Sequence, residues 1–250
     1  MIIDADTHIS PIKEDNRIQV EELVGMMEKS NIDKALVWLQ PTCDVAESNQ
    51  YVYESMREYP DKLLGFGWAD PREGVDKAVE NAKKCLYEYD FYGVKLNGAQ
   101  NNYYIDDQEL AIPVIEVVAN SGKALAFHVG ADAPDRTNPA RVASIAKKYP
   151  DMKIFMVHMG GAGTPDLSDE AITVAEECPN TYLIGSAIDT GPILKAVKTL
   201  GARRICFGSD TPFRSMKGEL DKYYELFEGK ISEEDQKLIL GGNIKRLFNI

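Results

Sequence analysis

The chain has 250 residues, of which 44% are hydrophobic and 27% are charged, and its formal net charge is −12. This composition predicts a folded globular protein and excludes a disordered chain. No run of Lys or Arg is long enough to follow a phosphate backbone, so nucleic acid is not an expected partner. No apolar stretch approaches the ~18 residues of a membrane span and no signal sequence opens the chain, which predicts a cytoplasmic protein without membrane contact.

The four cysteines occur singly, without the CxxC spacing of zinc ribbons or redox motifs. They are Cys43, Cys85, Cys178 and Cys206. This usage predicts buried thiols in a reducing compartment rather than a disulfide framework.

Eight short segments rich in β-branched and apolar residues recur along the chain, each followed by turn residues and a helix-like pattern. They are residues 2–8, 34–39, 63–68, 92–96, 124–129, 153–158, 181–185 and 204–209. Such alternation predicts parallel strands with crossover helices, and eight of them predict an α/β fold, a (β/α)8 TIM barrel. The turn at residues 7–11 has no glycine, which disfavours a nucleotide-binding doubly wound sheet. No linker interrupts the pattern, so we expect one domain over residues 1–250.

Several helix boundaries carry their own signals. Asn138 before Pro139 is typical of a helix start. Gly122 and Gly201 are placed as glycines that end helices, and Ser232 is placed to start the last helix region.

All three histidines fall at the C-terminal ends of predicted strands. His8 ends the first strand, His128 the fifth and His158 the sixth, and Asp210 follows the eighth. A single histidine at a strand end is more often structural than a metal ligand. In a parallel barrel, however, these ends meet at one mouth, where catalytic groups lie. We therefore expect the four residues to be neighbours in space.

The first strand carries Asp4, Asp6 and His8, spaced by two, so their side chains are predicted to point together into the barrel. Buried charges without partners are costly, and a bound cation would compensate them. We predict one divalent ion bound by Asp6, His8, His128 and Asp210. Asp4 lies deeper and is expected to orient these ligands without binding the ion.

Six ordered motifs resemble those of the amidohydrolase superfamily, and they extend from the first strand to the last helix. They are DADTHISP at 4–11, GVKL at 93–96, FH at 127–128, VHMGG at 157–161, FGSDTPF at 207–213 and GNIKRLF at 242–248. The most similar group is the amidohydrolase-related one that includes aminocarboxymuconate semialdehyde decarboxylase, resorcylate-type decarboxylases and pyrone dicarboxylate lactonase. Homodimers are common in this family.

The resemblance implies a mononuclear site in which Asp6, His8, His128 and Asp210 are ligands and His158 lies beside the substrate. Asp6 stands where the family more often has histidine. Its hard oxygen makes Mn²⁺ an alternative to Zn²⁺, which is the metal expected first.

Three cations are candidates for binding a small-molecule substrate: Lys95, Arg136 and Arg214. Related binuclear enzymes use a carbamylated lysine at the position of Lys95, but a mononuclear site does not require one. Each of the three also has a simpler interpretation as a solvated surface charge.

Two reactions fit these groups. In hydrolysis of an amide, ester or lactone, Asp210 serves as general base and then acid while His158 stabilises the developing charge. In non-oxidative decarboxylation of an aromatic or unsaturated acid, Asp210 supplies a proton to carbon. Because the chain is short, hydrolysis is expected and decarboxylation is the alternative. A third hypothesis is an inactive barrel that serves as a binding protein.

Overall fold

The computed structural model describes residues 1–14, 16–40, 44–130 and 132–250. The strands are β1 (Ile3–Ile9), β2 (Lys34–Leu39), β3 (Leu63–Gly65), β4 (Gly67–Trp68), β5 (Gly93–Leu96), β6 (Ala124–His128), β7 (Ile154–Val157), β8 (Thr181–Ile184) and β9 (Ile205–Cys206). The α-helices are α1 (Val20–Ser30), α2 (Val45–Glu58), α3 (Val75–Lys83), α4 (Ala111–Ser121), α5 (Pro139–Lys148), α6 (Ser168–Glu177), α7 (Thr190–Leu200), α8 (Met216–Phe227), α9 (Glu233–Lys237) and α10 (Asn243–Phe248). Short 3-10 turns lie at Pro71–Glu73 and Ala202–Arg204, a turn whose residues all have positive φ lies at His158–Gly160, and π-helical turns lie at Lys84–Glu88 and Leu238–Gly242.

The strands run parallel in the orders β1-β2-β3 and β4 to β9. The third predicted strand is divided at Phe66, because the chain there changes its pairing partner. Phe66 N donates to Val37 O of β2 at 2.9 Å, whereas Gly67 pairs with Val94 of β5. β3 and β4 are therefore one barrel strand that bends between its two neighbours.

Backbone hydrogen bonds between β1 and the segment after β9 close the ring. Ala5 N donates to Phe207 O at 3.0 Å, Asp210 N to Asp6 O at 2.8 Å, and His8 N to Thr211 O at 2.8 Å. The predicted (β/α)8 barrel is confirmed, with crossover helices between its strands.

The core has two layers that follow the alternation of side chains along each strand. Leu36 and Trp38 of β2 belong to a cluster inside the barrel, and Val37 between them packs in the larger cluster beneath the helices. Ile244 and Leu247 of α10 join the inner cluster. Apolar burial on both faces explains why these strands read as continuous hydrophobic runs.

A β-bulge in β1 corrects the predicted direction of Asp4. The register with β2 slips between Asp4 and Thr7, so β1 holds one extra residue there. Ile3 and Ala5 consequently face the barrel interior, while Ile9, with the same odd number, packs under the helices. The prediction that the side chains of Asp4, Asp6 and His8 all point into the barrel was therefore wrong for Asp4. The bulge changes which face of the strand the side chains take on either side of it.

The predicted helix boundaries are confirmed. Asn138 Oδ1 accepts a hydrogen bond from Ala140 N at 2.8 Å, and Ser232 Oγ accepts one from Asp235 N at 3.2 Å. Gly122 ends α4 in the left-handed conformation, with φ of 71°, and Gly201 ends α7.

The cysteines Cys85, Cys178 and Cys206 are buried free thiols, and Cys43 lies outside the described residues. Among the helices that the structure describes, none combines the length and apolar character needed to cross a bilayer.

Candidate active site and metal centre

The C-terminal ends of the strands open into a pocket of about 390 Å³, a volume typical of small-molecule sites. Its described lining consists of His8, Asn16, Arg17, Gln40, Lys95, Asn97, Gln100, His128, Asp132, His158, Asp210 and Phe213. The three histidines and Asp210, which are far apart in sequence, therefore share one cavity.

Three potential metal ligands converge at this pocket. His8 Nε2 lies 3.7 Å from Asp6 Oδ1 and 3.7 Å from Asp210 Oδ1. One ligand atom from each of the three residues lies within 4.8 Å of the other two. Two carboxylates and an imidazole at this spacing suit a single divalent ion.

The hydrogen bonds of His8 fix its tautomer. Its Nδ1 lies 2.8 Å from Leu39 O, an acceptor, so Nδ1 carries the proton and Nε2 keeps its lone pair. Trp38 Nε1 donates to that lone pair at 3.0 Å. Burial and the charge of Lys95 lower the pKa of His8 to about 3. His8 is therefore neutral at physiological pH, as a metal ligand must be, and its close approach to Asp6 is not an ion pair.

Asp6 is fully buried, but only one of its two carboxylate oxygens accepts a hydrogen bond from the described side chains. Its Oδ2 accepts a hydrogen bond from the Ser186 hydroxyl. Its Oδ1 has no hydrogen-bond partner among the described residues, and Lys95 Nζ lies 3.7 Å away. Burial raises the pKa of Asp6, but Lys95, His158 and His8 outweigh it and lower the pKa overall. A charged buried oxygen without a close partner is the feature that a cation would satisfy.

His128 lines the same pocket, outside the group formed by Asp6, His8 and Asp210. Its Nε2 is buried without a hydrogen-bond partner in the described parts of the chain. Burial lowers the pKa of His128 well below its usual value, so the imidazole is neutral. The unpartnered nitrogen is suited to a fourth ligand position, which stays a prediction.

Asp210 and His158 both adopt left-handed backbone conformations just beyond their strands, with φ of 61° and 65°. Such conformations are uncommon outside glycine and cluster at functional sites. Burial and the nearby charge of Asp6 raise the pKa of Asp210 to about 8 in the ion-free protein. His158 Nδ1 lies 3.1 Å from Ser186 O and 3.0 Å from its hydroxyl, which orients the ring.

Lys95 is buried, so the interpretation as a solvent-exposed charge is wrong for this residue. Its ammonium lies 3.7 Å from the ring centroid of Trp38 and 5.5 Å from that of Trp68. Burial lowers the pKa of Lys95, and the charges of Asp6 and Asp210 oppose that change. The side chain supplies the site with a cation stabilised by two aromatic faces.

Asp4 links the two segments that carry the candidate ligands. Its Oδ1 accepts hydrogen bonds from Asp6 N at 3.1 Å and Ser209 N at 2.9 Å. Burial raises the pKa of Asp4 to about 7. These contacts suit a residue that orients Asp6 and Asp210, and that role stays a prediction.

The structure does not place Arg136 or Arg214 in the described lining of the pocket. Arg136 is half-buried, and Arg214 is exposed on the loop after β9, near enough to lower the pKa of Asp210. Arg17 lines the pocket instead. Substrate binding by Arg136 and Arg214 remains an untested prediction.

Sequence reasoning did not identify Trp38, Ser186, Gln40 and Asn97 at the site. All four lie at or just beyond the C-terminal ends of strands, the same rule that selected the histidines. Their residue types did not indicate a functional site, because Trp, Ser and amide side chains are common in ordinary cores and turns. Their importance lies in contacts with Asp6 and His8 or in lining the pocket.

Comparison with solved structures shows the same fold in proteins of low sequence identity. A dihydroxybenzoic acid decarboxylase from Polaromonas sp. JS666, solved with manganese and 2-nitroresorcinol, is 22% identical with a TM-score of 0.75, covering 99% of this chain and 96% of that one. A 2,6-dihydroxybenzoate decarboxylase from Rhizobium is 17% identical with a TM-score of 0.76, covering 99% and 98%. An uncharacterised TIM-barrel protein from Bordetella bronchiseptica is 20% identical with a TM-score of 0.81, again covering 99% and 98%.

Among curated proteins, a gamma-resorcylate decarboxylase from Polaromonas sp. (strain JS666) is 25% identical over 256 residues, covering 81% of this chain and 75% of the relative. The family model described as amidohydrolase matches residues 3–250. The match spans the metal-ligand candidates from Asp6 to Asp210. The chain therefore belongs to the amidohydrolase family.

Proposed function

We propose that this protein is a metal-dependent decarboxylase that removes CO₂ from a small hydroxylated aromatic acid. The observation that carries the proposal is the convergence of Asp6, His8 and Asp210, two of which, His8 and Asp210, line the pocket. The 25% identity to a gamma-resorcylate decarboxylase supports this choice of reaction.

The expectation of hydrolysis rested on the short length of the chain. The fold of this chain covers 98% of the Rhizobium 2,6-dihydroxybenzoate decarboxylase, so length does not separate the two reactions. The comparisons favour decarboxylation over the hydrolysis that was expected first.

Asp6, His8 and Asp210 would hold the ion, with His128 as the fourth protein ligand. The orphaned Asp6 Oδ1 and His128 Nε2 are the atoms whose burial such an ion would compensate. The carboxylate oxygens favour Mn²⁺, the metal in the related Polaromonas structure, and Zn²⁺ is the alternative. When bound, the ion polarises a substrate oxygen and stabilises charge that develops on it.

The pocket suits an aromatic acid. Its volume of about 390 Å³ accommodates a single substituted ring. Lys95 and Arg17 are the cations of its described lining that could attract a carboxylate, although the lining also contains Asp132 and Asp210 and Arg17 Nη1 lies 3.2 Å from Glu14 Oε2. Phe213 stands half exposed at the mouth, its ring 5.4 Å from that of His8, and offers an apolar face to a substrate ring.

In the proposed reaction, the carboxyl of Asp210 donates its proton to the ring carbon that bears the substrate carboxylate. The bond from that carbon to the carboxylate then breaks and CO₂ leaves, so the ring regains its aromatic electrons. Asp210 recovers a proton from water. His158, oriented by Ser186, is placed in the pocket to hydrogen-bond a substrate oxygen.

The test is CO₂ release by the Mn²⁺-loaded or Zn²⁺-loaded protein with a panel of hydroxybenzoates that includes 2,6-dihydroxybenzoate. Asp210→Asn should lower kcat by about 10²- to 10⁴-fold, the usual contribution of a positioned proton donor. Asp221→Asn, an exposed carboxylate on α8, is the matched control and should leave kcat unchanged. Hydrolysis of a lactone or ester panel without any CO₂ release would favour the hydrolase, and no turnover of either panel would favour a binding protein.

A further inference from the structure

Trp38 makes a contact at the metal site that the proposed reaction does not use. Its indole N–H donates to Nε2 of His8 at 3.0 Å. Because Nδ1 of His8 is engaged with Leu39 O, that lone pair is the only one the imidazole has left. The nitrogen that must bind the ion is already occupied by a proton donor from within the fold.

The indole is fixed in this position. Trp38 is fully buried in the inner cluster of the barrel, and its ring contacts Phe66 at 5.8 Å between centroids. The ammonium of Lys95 lies 3.7 Å from the ring centroid and also 3.7 Å from Asp6 Oδ1. The Lys95 ammonium therefore lies near the charge of Asp6, and the Trp38 indole N–H is bonded to Nε2 of His8. Together they make the contacts with Asp6 and His8 that a bound cation would otherwise make.

We propose that Trp38 is a positioning residue that holds His8 in the ion-free protein and must release Nε2 when a divalent ion binds. One lone pair cannot both accept a full hydrogen bond and coordinate a metal. The indole contact keeps the site formed without the ion, at the cost of weaker ion binding. This inference rests on the proposed metal site and not on the decarboxylation reaction.

Metal affinity is the first test, measured by competition of Mn²⁺ or Zn²⁺ with a chelator of known affinity. Trp38→Phe removes the N–H and should tighten binding by about three- to tenfold, the size expected for one hydrogen bond. Tyr149→Phe is the control, since it removes one side-chain hydrogen-bond donor outside the described lining of the pocket, where the Tyr149 hydroxyl donates to Glu116 Oε1 at 3.4 Å. Unchanged or weaker binding by Trp38→Phe, with Tyr149→Phe at the wild-type value, would overturn the proposal.

The wild-type protein offers a second test that needs no folded variant. The sequence contains two tryptophans, so the ¹H–¹⁵N spectrum holds two indole resonances, Trp38 and Trp68. Zn²⁺ should move the Trp38 indole proton to lower frequency as its hydrogen bond is lost, and should move Trp68 less. If Zn²⁺ binds and the Trp38 resonance stays in place or moves to higher frequency, the proposal for Trp38 is wrong but the metal site is not. If the wild type binds no Zn²⁺, both the proposal for Trp38 and the proposed metal site are wrong.

Discussion

The hydroxyl of Ser186 donates a hydrogen bond to Oδ2 of Asp6 across the mouth of the barrel. The two residues are 180 positions apart in sequence and meet because β8 and β1 both end at this mouth. The bond holds one carboxylate oxygen of Asp6 and leaves Oδ1 directed at His8 and Lys95. It thereby sets the orientation in which Asp6 can bind an ion.

Ser186→Ala should weaken metal binding by about 10- to 100-fold, the range found when a hydrogen bond to a metal ligand is removed. The carboxylate of Asp6 would be free to rotate away from His8. Affinity for Mn²⁺ measured by chelator competition checks this. Ser144→Ala, which removes an exposed hydroxyl bonded to Arg141 O on α5, serves as the control. Equal affinities of the two variants would show that Ser186 has no role in orienting Asp6.

Gly208→Ala should displace the side chain of the same residue, Asp6, by steric contact. An added Cβ would lie 2.9 Å from Asp6 Cβ and 2.7 Å from Ile184 Cγ2, closer than packed atoms tolerate. We expect a loss of about 1–3 kcal/mol in the free energy of unfolding, together with weaker metal binding.

Gly25→Ala in α1 is the control for that substitution, because an added Cβ there meets nothing within 4 Å. It should stabilise the protein by about 0.5–1 kcal/mol, since alanine favours a helix interior more than glycine does. Chemical denaturation of both variants measures these changes in the free energy of unfolding. A Gly208→Ala protein as stable as the wild type would contradict the packing around Asp6.

The ion-free protein should lose stability between pH 6.5 and 8 through Asp210, with a further contribution from Asp4, whose pKa is raised to about 7. Burial raises the pKa of this carboxyl to about 8, so the folded state retains a proton that the unfolded state has already released. Stability from such a group is present below the unfolded pKa of about 4 and is lost as pH rises through the folded pKa. Histidine side chains contribute in the opposite direction, because they are protonated in the unfolded chain below their unfolded-state pKa of about 6.5. Above that pH this opposing contribution to stability changes little.

Thermal unfolding of the chelator-treated protein checks this at pH 6.5 and pH 8. Asp210→Asn cannot titrate and should show a smaller fall in Tm over that interval than the wild type. The same fall in both proteins would mean that Asp210 is already ionised in the folded, ion-free state.

The two histidine candidates should differ when each is replaced by glutamine. His8→Gln removes a member of the group whose ligand atoms lie within 4.8 Å of one another and should abolish stoichiometric metal binding. His128 lies outside that group, so His128→Gln should retain binding with reduced affinity. Metal content after gel filtration in Mn²⁺ distinguishes them. Stoichiometric metal in His8→Gln would remove His8 from the ligand set.

The barrel and the meeting of strand ends were predictable, because both follow from period and position. A recognisable apolar run ends at or just before each of four residues: His8, His128, His158 and Asp210. In a parallel barrel the C-terminal ends of all strands lie at the same end of the barrel. The bulge before Thr7 was not predictable, since an extra residue in a strand leaves no mark on a pattern that stays buried throughout. It reverses the direction of Asp4 relative to Asp6.

The environment of Lys95 was equally inaccessible to pattern reasoning. Lysine is usually solvated, and only the pairing of β2, β4 and β5 shows that its ammonium lies between Trp38 and Trp68 beside Asp6. Cation binding by aromatic faces depends on which strands are neighbours, a relationship that separate segments do not reveal. The homodimer and the single domain over residues 1–250 stay predictions.

The most direct measurement is anomalous diffraction from crystals of the protein soaked in Mn²⁺. One strong peak is expected within coordination distance of Nε2 of His8 and of carboxylate oxygens of Asp6 and Asp210. A fully occupied Mn²⁺ bound elsewhere, or a pocket that stays without a peak at saturating Mn²⁺, would contradict the proposed metal site.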